Sequence, residues 1–334
     1  MLKAVRCLFS RRWPTDVARL VVLRLYSAAC GVFPSLRATV VRARLMAPAL
    51  AHARALSAPH ATVTRLGDAE HADWWAEHDA TLRDAWTAWA AWRDPLAYSL
   101  DNRRALHPAI AAALCKPSGN GLDDIVLLSM LTEVVPGVYA FPLFRAEFCE
   151  CFLSELSRLE RSGIPMRRPN GMNRHGAILS DLGFDALLRE LSEQLVGPLG
   201  RTLYPEWCGP TDCAEQYGFT VRYKRGEDTA LAGHSDTANV TLNVCLGRSF
   251  TGGNLYFKGV RFTSSAADET RREVVHRPGW AILHLGGHIH AAEPIDSGER
   301  INLIMWCQGP GGTVRIRPRD VASHSVGMAR IRCG

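Results

Sequence analysis

The spacing of apolar residues along this chain changes once. Upstream they recur every three or four positions, as on a helix with one buried face; downstream they alternate with polar residues or gather in short runs broken by glycine and proline. Within Asp68–Arg93, Leu82, Trp86, Trp89 and Trp92 share one helical face, and Asp94-Pro95 breaks the pattern. Large aromatics bury well, so this stripe reads as packing rather than as a ligand site. Phe144, Phe148, Phe152, Leu156 and Leu159 predict a helix over Phe144–Arg161 that Gly163 ends, and a third helix runs from about Asp185, its candidate N-cap, through Leu195. The segment Asn239–Leu246 alternates polar and apolar residues and predicts a half-buried strand. Thr251–Asn254 is a turn before Leu255-Tyr256-Phe257, and Arg277-Pro278-Gly279 is another before Trp280–Leu283. Pro294 and Ser297-Gly298 close the next segment, and Ile301–Trp306 is the last strand. The fold class expected from this pattern is α+β: a double-stranded β-helix, or jelly roll, stiffened by packed helices and preceded by a mainly helical N-terminal region.

Composition changes this picture little. At 47% hydrophobic and 22% charged, the chain is ordinary for a globular protein, which argues against a disordered chain or a membrane bundle. Charge matters through its location. Residues 1–60 hold Lys3 and nine arginines against Asp16 alone, so of 39 basic and 33 acidic residues the rest keeps 29 and 32. An Arg-rich, acid-poor start with amphipathic character resembles an organelle transit peptide, with a basic segment of the mature protein as the alternative. The expected location is intracellular, either a mitochondrion or other organelle or the cytoplasm. Arg19 and Arg24 interrupt the apolar run there, so no transmembrane segment is expected. The ten cysteines are scattered without a CxxC, which predicts reduced thiols, with Cys208 and Cys213 the one pair to check. Expected regions are 1–60, the basic segment; 61–120, mainly helical and ending near a turn-rich linker at Pro117–Gly121; 121–205, helical support; 206–312, the jelly roll; and 313–334, a tail. Arg167–Gly171 reads as a polar loop, either plain surface or a lip over the site.

The candidate chemistry lies in the strand-rich part. His234 and Asp236, two apart, point to the same side of a strand and can converge on one ion. A third ligand must come from elsewhere in the sheet, with His276, His284, His288 and His290 as candidates. Two histidines and a carboxylate on one octahedral face form the donor set of a non-haem Fe(II) centre that activates dioxygen. Arg300 follows His290 by ten residues, and a permanently charged guanidinium on a neighbouring strand could bind the far carboxylate of an acidic co-substrate through two hydrogen bonds.

In order, His-x-Asp at 234–236, Thr-Leu-Asn at 241–243, Gly-Gly-x-Leu-x-Phe at 252–257, Pro-Gly at 278–279, His290 and Arg300 resemble the iron and 2-oxoglutarate-dependent oxygenases of the prolyl and lysyl hydroxylase type. The resemblance covers roughly Val138–Gln308 and includes Gly171-Met172-Asn173 and Leu203-Tyr204-Pro205. It implies that His234, Asp236 and His290 hold Fe(2+), that Arg300 pairs with 2-oxoglutarate, and that Tyr223 and Asn243 contact the same molecule. His288-x-His290 resembles lysyl hydroxylases, where the second histidine is the ligand; a register shift of two would substitute His288. The implied reaction consumes 2-oxoglutarate and dioxygen to hydroxylate a C–H bond, with L-ascorbate restoring the metal. A protein side chain is the favoured substrate, and a small molecule or lipid is the alternative. Trp306 stands where nucleic-acid demethylases carry a second arginine, which argues against a nucleic-acid partner. A catalytically silent binding protein is the reading from a different class. No motif in the N-terminal third names the substrate, and none fixes the oligomeric state.

Overall fold

The computed structural model describes residues 61–63, 68–91, 93–100, 104–114, 127–261, 263 and 265–316. All lie within one unit, Pro59–Gly334. The basic N-terminal segment, Trp92, the Pro117–Gly121 linker and the tail beyond Ile316 fall outside the described residues. In chain order the elements are β1 (Ala61–Val63), α1 (Asp68–Trp89), α2 (Pro95–Tyr98), α3 (Pro108–Leu114), β2 (Thr132–Val135), β3 (Val138–Pro142), α4 (Ala146–Arg161), β4 (Gly176–Ile178), α5 (Asp185–Leu191) and α6 (Gly197–Leu203). The strand-rich part follows as β5 (Glu215–Lys224), β6 (Leu231–His234), β7 (Val240–Gly247), β8 (Phe250–Gly252), β9 (Leu255–Val260), β10 (Arg272–Val274), β11 (Trp280–Leu285), β12 (His288–Ala292), β13 (Ile295–Gln308) and β14 (Val314–Ile316). No described helix is long and apolar enough to cross a membrane.

The helices form where the apolar spacing puts them, with adjusted ends. Leu82 and Trp89 on α1 are buried, and the Trp86 indole donates to the Asp181 carbonyl at 3.1 Å, so the stripe packs. Asp94 both ends one helix and starts another: its Oδ1 accepts from the Leu96 amide at 2.9 Å and Pro95 opens α2. The helix expected from Asp185 has no side-chain cap, because Phe184 holds the cap position and Asp185 sits in the first turn. After Leu191 it continues through a π-helical turn, Ser192–Val196, into α6.

The expectation of a jelly roll is corrected by the strand pairing. The larger sheet runs β2-β3-β11-β7-β13-β5-β4, with β8 added beside the start of β13, and the smaller runs β10-β9-β12-β6. Both are open, their outer strands unpaired with one another, so the core is a two-sheet, mixed α/β architecture and not a barrel. Turn spacing and alternation identify strands, whereas closure depends on which edges meet, and that is a long-range property. The sheets share one core: Phe219, Val221, Ile282 and Ile304 of the larger meet Leu255, Phe257 and Ala292 of the smaller.

Two strand readings also change. Every residue of β7 is buried, so the strand is not half-exposed. α4 lies against it, and its polar residues Thr241 and Asn243 look into an interior cleft instead of solvent. Ser297-Gly298 does not end a segment but sits inside the 14-residue β13. There Gly298 has φ +76°, and the pairing with β8 slips between Ile295 and Ser297, so the glycine bends a continuous strand. Cys208 and Cys213 are buried thiols with their sulfurs 3.5 Å apart and no disulfide between them.

Candidate metal centre

Register brings the site together. β6 ends at His234, whose pairing partner on β12 is His290, and Asp236 follows two residues later with its amide donating to the Gly286 carbonyl at 2.8 Å. The ligand-type atoms of His234, Asp236 and His290 all lie within 4.8 Å of one another. Asp236 Oδ1 is 3.5 Å from His234 Nε2, and its Oδ2 is 3.7 Å from His290 Nε2, separations that one divalent ion with bonds of roughly 2.0–2.2 Å can bridge. Among the described residues this is the one such cluster of histidine, cysteine and carboxylate groups.

Backbone carbonyls set the tautomers. His234 Nδ1 lies 2.9 Å from the Ala232 carbonyl, and His290 Nδ1 lies 2.9 Å from the His288 carbonyl. A carbonyl only accepts, so both Nδ1 atoms donate and both Nε2 lone pairs face Asp236. Thr241 Oγ1 donates to Asp236 Oδ2 at 2.7 Å and orients the carboxylate. Burial alone would raise the Asp236 pKa, but the neighbouring His290, His234 and His284 rings hold it far below the usual carboxylate range. Burial likewise lowers His234, yet the hydrogen bond and charge of Asp236 outweigh it and leave that ring raised. His290, deeper, is lowered by burial to about 4. A neutral imidazole and an ionised carboxylate are the forms that ligate.

The other histidines are engaged elsewhere. His288 turns its Nε2 toward the Pro136 carbonyl at 3.3 Å, and His284 puts its Nδ1 2.8 Å from the Leu285 carbonyl. His284 packs its ring against His290, with centroids 4.7 Å apart, while Phe257 stacks on His290 at 5.5 Å. Both hold the His290 ring in place.

A cleft runs between the sheets from this cluster to Arg300. On β13 the alternate residues Arg300, Asn302, Ile304 and Trp306 line it, as do Phe219, Val221 and Tyr223 on the paired strand β5. Arg300 is fully buried beside Tyr223, whose ring lies 4.6 Å from the guanidinium carbon. Its Nη1 donates to the Gly253 carbonyl, while Nε and Nη2 are buried and have no hydrogen-bond partner. Two adjacent, unused donors on a buried cation fit a carboxylate. Asn243 accepts from Asn302 at 2.8 Å, and Tyr223 Oη accepts from Asn173 at 3.5 Å.

Sequence reasoning missed several lining residues. Thr241 and Asn302 stand two positions from Asn243 and Arg300, so strand parity would have found them. Asn170 and Asn173 come from the loop before β4. Arg167 of that loop pairs with the buried Asp181 carboxylate at 2.7 Å and lies over the Trp74 ring at 4.1 Å, while Asn170 of the same loop lines the cleft. Gly286 is a further dependency. A Cβ there would sit 2.0 Å from the Ala238 carbonyl oxygen, in the loop that carries Asp236. Gly286→Ala should therefore cost roughly 1–3 kcal/mol, lowering the thermal midpoint by several degrees, and weaken metal retention as well. Melting curves with and without Mn(II) check both effects.

A two-histidine, one-carboxylate cluster opening onto a cleft with a buried arginine is the arrangement expected of a 2-oxoglutarate and iron-dependent oxygenase. Comparison with known proteins agrees. A family model described as an OGFOD2-like domain matches residues 93–209. The 2-oxoglutarate and iron-dependent oxygenase domain-containing protein ICU11 of Arabidopsis thaliana is 39% identical over 219 residues, covering 63% of this chain and 54% of that protein. The 2-oxoglutarate and iron-dependent oxygenase domain-containing protein 2 of Xenopus tropicalis is 46% identical over 171 residues, 51% of this chain and 48% of that protein. The human multifunctional procollagen lysine hydroxylase and glycosyltransferase LH3 is 28% identical over 189 residues, 53% of this chain and 24% of that protein. The chain is a homologue of the 2-oxoglutarate and iron-dependent oxygenase domain-containing proteins, and it spans about half the length of the first two relatives.

Proposed function

We propose that this protein is an Fe(II)- and 2-oxoglutarate-dependent dioxygenase that hydroxylates a C–H bond, on a protein side chain. The observation that carries this reading is the pairing, across one cleft, of the His234–Asp236–His290 cluster with a buried arginine whose Nε and Nη2 have no partner. His234, Asp236 and His290 would hold the metal, and Arg300 would receive the distal carboxylate of 2-oxoglutarate. Bound Fe(II) supplies the chemistry by which dioxygen and 2-oxoglutarate give succinate, carbon dioxide and one oxygen atom inserted into the substrate.

The protein's own part is orientation. The Ala232 and His288 carbonyls fix two imidazoles, Thr241 fixes the carboxylate, and His284 and Phe257 brace the His290 ring. Arg300 anchors the co-substrate from the far end, with Tyr223 beside it and Asn243 on the floor between. The apolar walls, Leu231, Leu255 and Ile304, limit water around the reacting groups. L-Ascorbate would keep the metal reduced between turnovers. The similarity to a procollagen lysine hydroxylase supports a protein side chain as the substrate.

The test is to incubate the protein with Fe(II), 2-oxoglutarate, ascorbate and a library of lysine- and proline-containing peptides. The expected result is succinate formation above the peptide-free rate, with one oxygen atom added to the stimulating peptides. Basal succinate without peptide stimulation would move the substrate to a small molecule or lipid. No binding of Fe(II) or 2-oxoglutarate would end the dioxygenase reading.

A further inference from the structure

Two amides on the floor of the cleft are tied to a histidine that does not line it. Asn302 donates through Nδ2 to Asn243 Oδ1 at 2.8 Å and lies with the same nitrogen 3.2 Å from His276 Nδ1. Asn243 and Asn302 line the cleft, whereas His276, between β10 and β11, is buried and does not.

An amide has donors at one end and an acceptor at the other, so each bond in this chain dictates the next. With Nδ1 of His276 accepting, its ring proton belongs on Nε2. Both hydrogens of Asn302 Nδ2 are then used, one toward His276 and one toward Asn243. Because Asn243 already accepts at Oδ1, its own Nδ2 hydrogens are available to the cleft. The reverse chain is equally self-consistent: His276 donates from Nδ1, Asn302 accepts twice at Oδ1, and Asn243 shows its oxygen to the cleft. A mixed arrangement breaks one of the two bonds, so the three side chains switch together. Burial, and then the charge of Arg300, lower His276 to about 3, so the ring is neutral and only these two tautomers compete. The oxygens of a carboxylate or keto group only accept, and they fit only the first chain.

We propose that His276 is a positioning residue for the co-substrate: through Asn302 it turns the Asn243 amide so that its Nδ2 hydrogens face the cleft and donate to an oxygen of 2-oxoglutarate. The inference rests on the reading above that this cleft takes 2-oxoglutarate. It assigns the histidine a task separate from metal binding, since its contact is with Asn302 and not with the His234–Asp236–His290 cluster.

The test is calorimetric titration of the Mn(II)-loaded protein with 2-oxoglutarate in the absence of oxygen, beside His276→Phe, His276→Gln, Asn302→Leu and the double variant His276→Phe/Asn302→Leu. His276→Phe keeps a flat ring without an acceptor and is expected to weaken 2-oxoglutarate binding about tenfold, as loss of one hydrogen bond to a charged ligand does. His276→Gln, which restores an acceptor, should recover most of that loss. Asn302→Leu should match His276→Phe, and the double variant should be no weaker than either, because all three break one chain. Mn(II) affinity should stay within about twofold throughout, against the 10–100-fold loss expected when a ligand's own support is removed. Unchanged 2-oxoglutarate affinity in His276→Phe overturns the proposal, as does a parallel loss of Mn(II) affinity, which marks general distortion. Should His276→Phe fail to fold, His276→Leu removes the same acceptor and carries the test, because Asn302 itself lines the cleft and His276 does not. An unaltered protein that binds Mn(II) but no 2-oxoglutarate would overturn the functional reading itself, and this inference with it.

Discussion

Replacing Arg300 by methionine is expected to stabilise the ligand-free protein while removing its affinity for 2-oxoglutarate. The guanidinium is fully buried, and two of its nitrogens lack partners. Burial lowers its pKa, which expresses the same desolvation cost. An apolar side chain of similar volume escapes that cost, as in the apolar replacement of buried ion pairs, which gains about 1–4 kcal/mol, although the bond to the Gly253 carbonyl is lost and offsets part of the gain. Losing one partner of a buried charged hydrogen-bond pair costs about 2–5 kcal/mol of binding, a factor of roughly thirty to several thousand. Melting curves should therefore cross. Without ligand Arg300→Met melts higher than the parent, and with millimolar 2-oxoglutarate and Mn(II) only the parent gains stability, since a ligand stabilises the form it binds. A variant that melts lower without ligand and still responds to 2-oxoglutarate would mean that Arg300 is a structural residue.

Asp236→Ala carries the other large effect. Asp236 is the one acidic member of the cluster, its Oδ1 and Oδ2 face His234 and His290, and Thr241 holds it in place. Changing groups that only support ligands costs 10–100-fold in metal affinity, so losing this carboxylate should exceed about 100-fold and leave no succinate formation at micromolar Fe(II). Asp236→Glu should not rescue, because the added methylene carries the carboxylate past Thr241 and out of register with two imidazoles fixed by backbone carbonyls. Equilibrium dialysis against Mn(II) measures the affinity directly, and near-parental binding by Asp236→Ala would remove the residue from the site.

How much of this was legible in the sequence varied with the range of the interaction. Helices came through because their signal is local: Leu82, Trp86 and Trp89 repeat within two turns, and Gly163 takes the left-handed conformation just after α4. Strand segments were legible for the same reason. Which edges meet was not, so a jelly roll was expected where two open sheets stand. The alternation in β7 was real, but its polar face looks into the cleft, and local pattern does not separate a face turned to solvent from one turned to a ligand.

The candidate site divides in the same way. His234 and Asp236 are two residues apart, so parity alone made them neighbours. Four histidines competed for the third place, and the pairing of β12 with β6, which sets His290 opposite His234, is what brings that one near. His276 was weighed as a ligand candidate and lies against Asn302 instead. No local rule links the loop before β11 to the middle of β13, and that link surfaces only once the register is known.

The choice of His290 over His288 as the third ligand is tested by Fe(II)-dependent succinate formation from 2-oxoglutarate by the unaltered protein, His290→Ala and His288→Ala. The expected result is turnover by the parent, substantial turnover by His288→Ala, whose ring faces the Pro136 carbonyl, and none by His290→Ala. Turnover retained by His290→Ala and lost by His288→Ala would contradict it and move the third ligand to the other histidine.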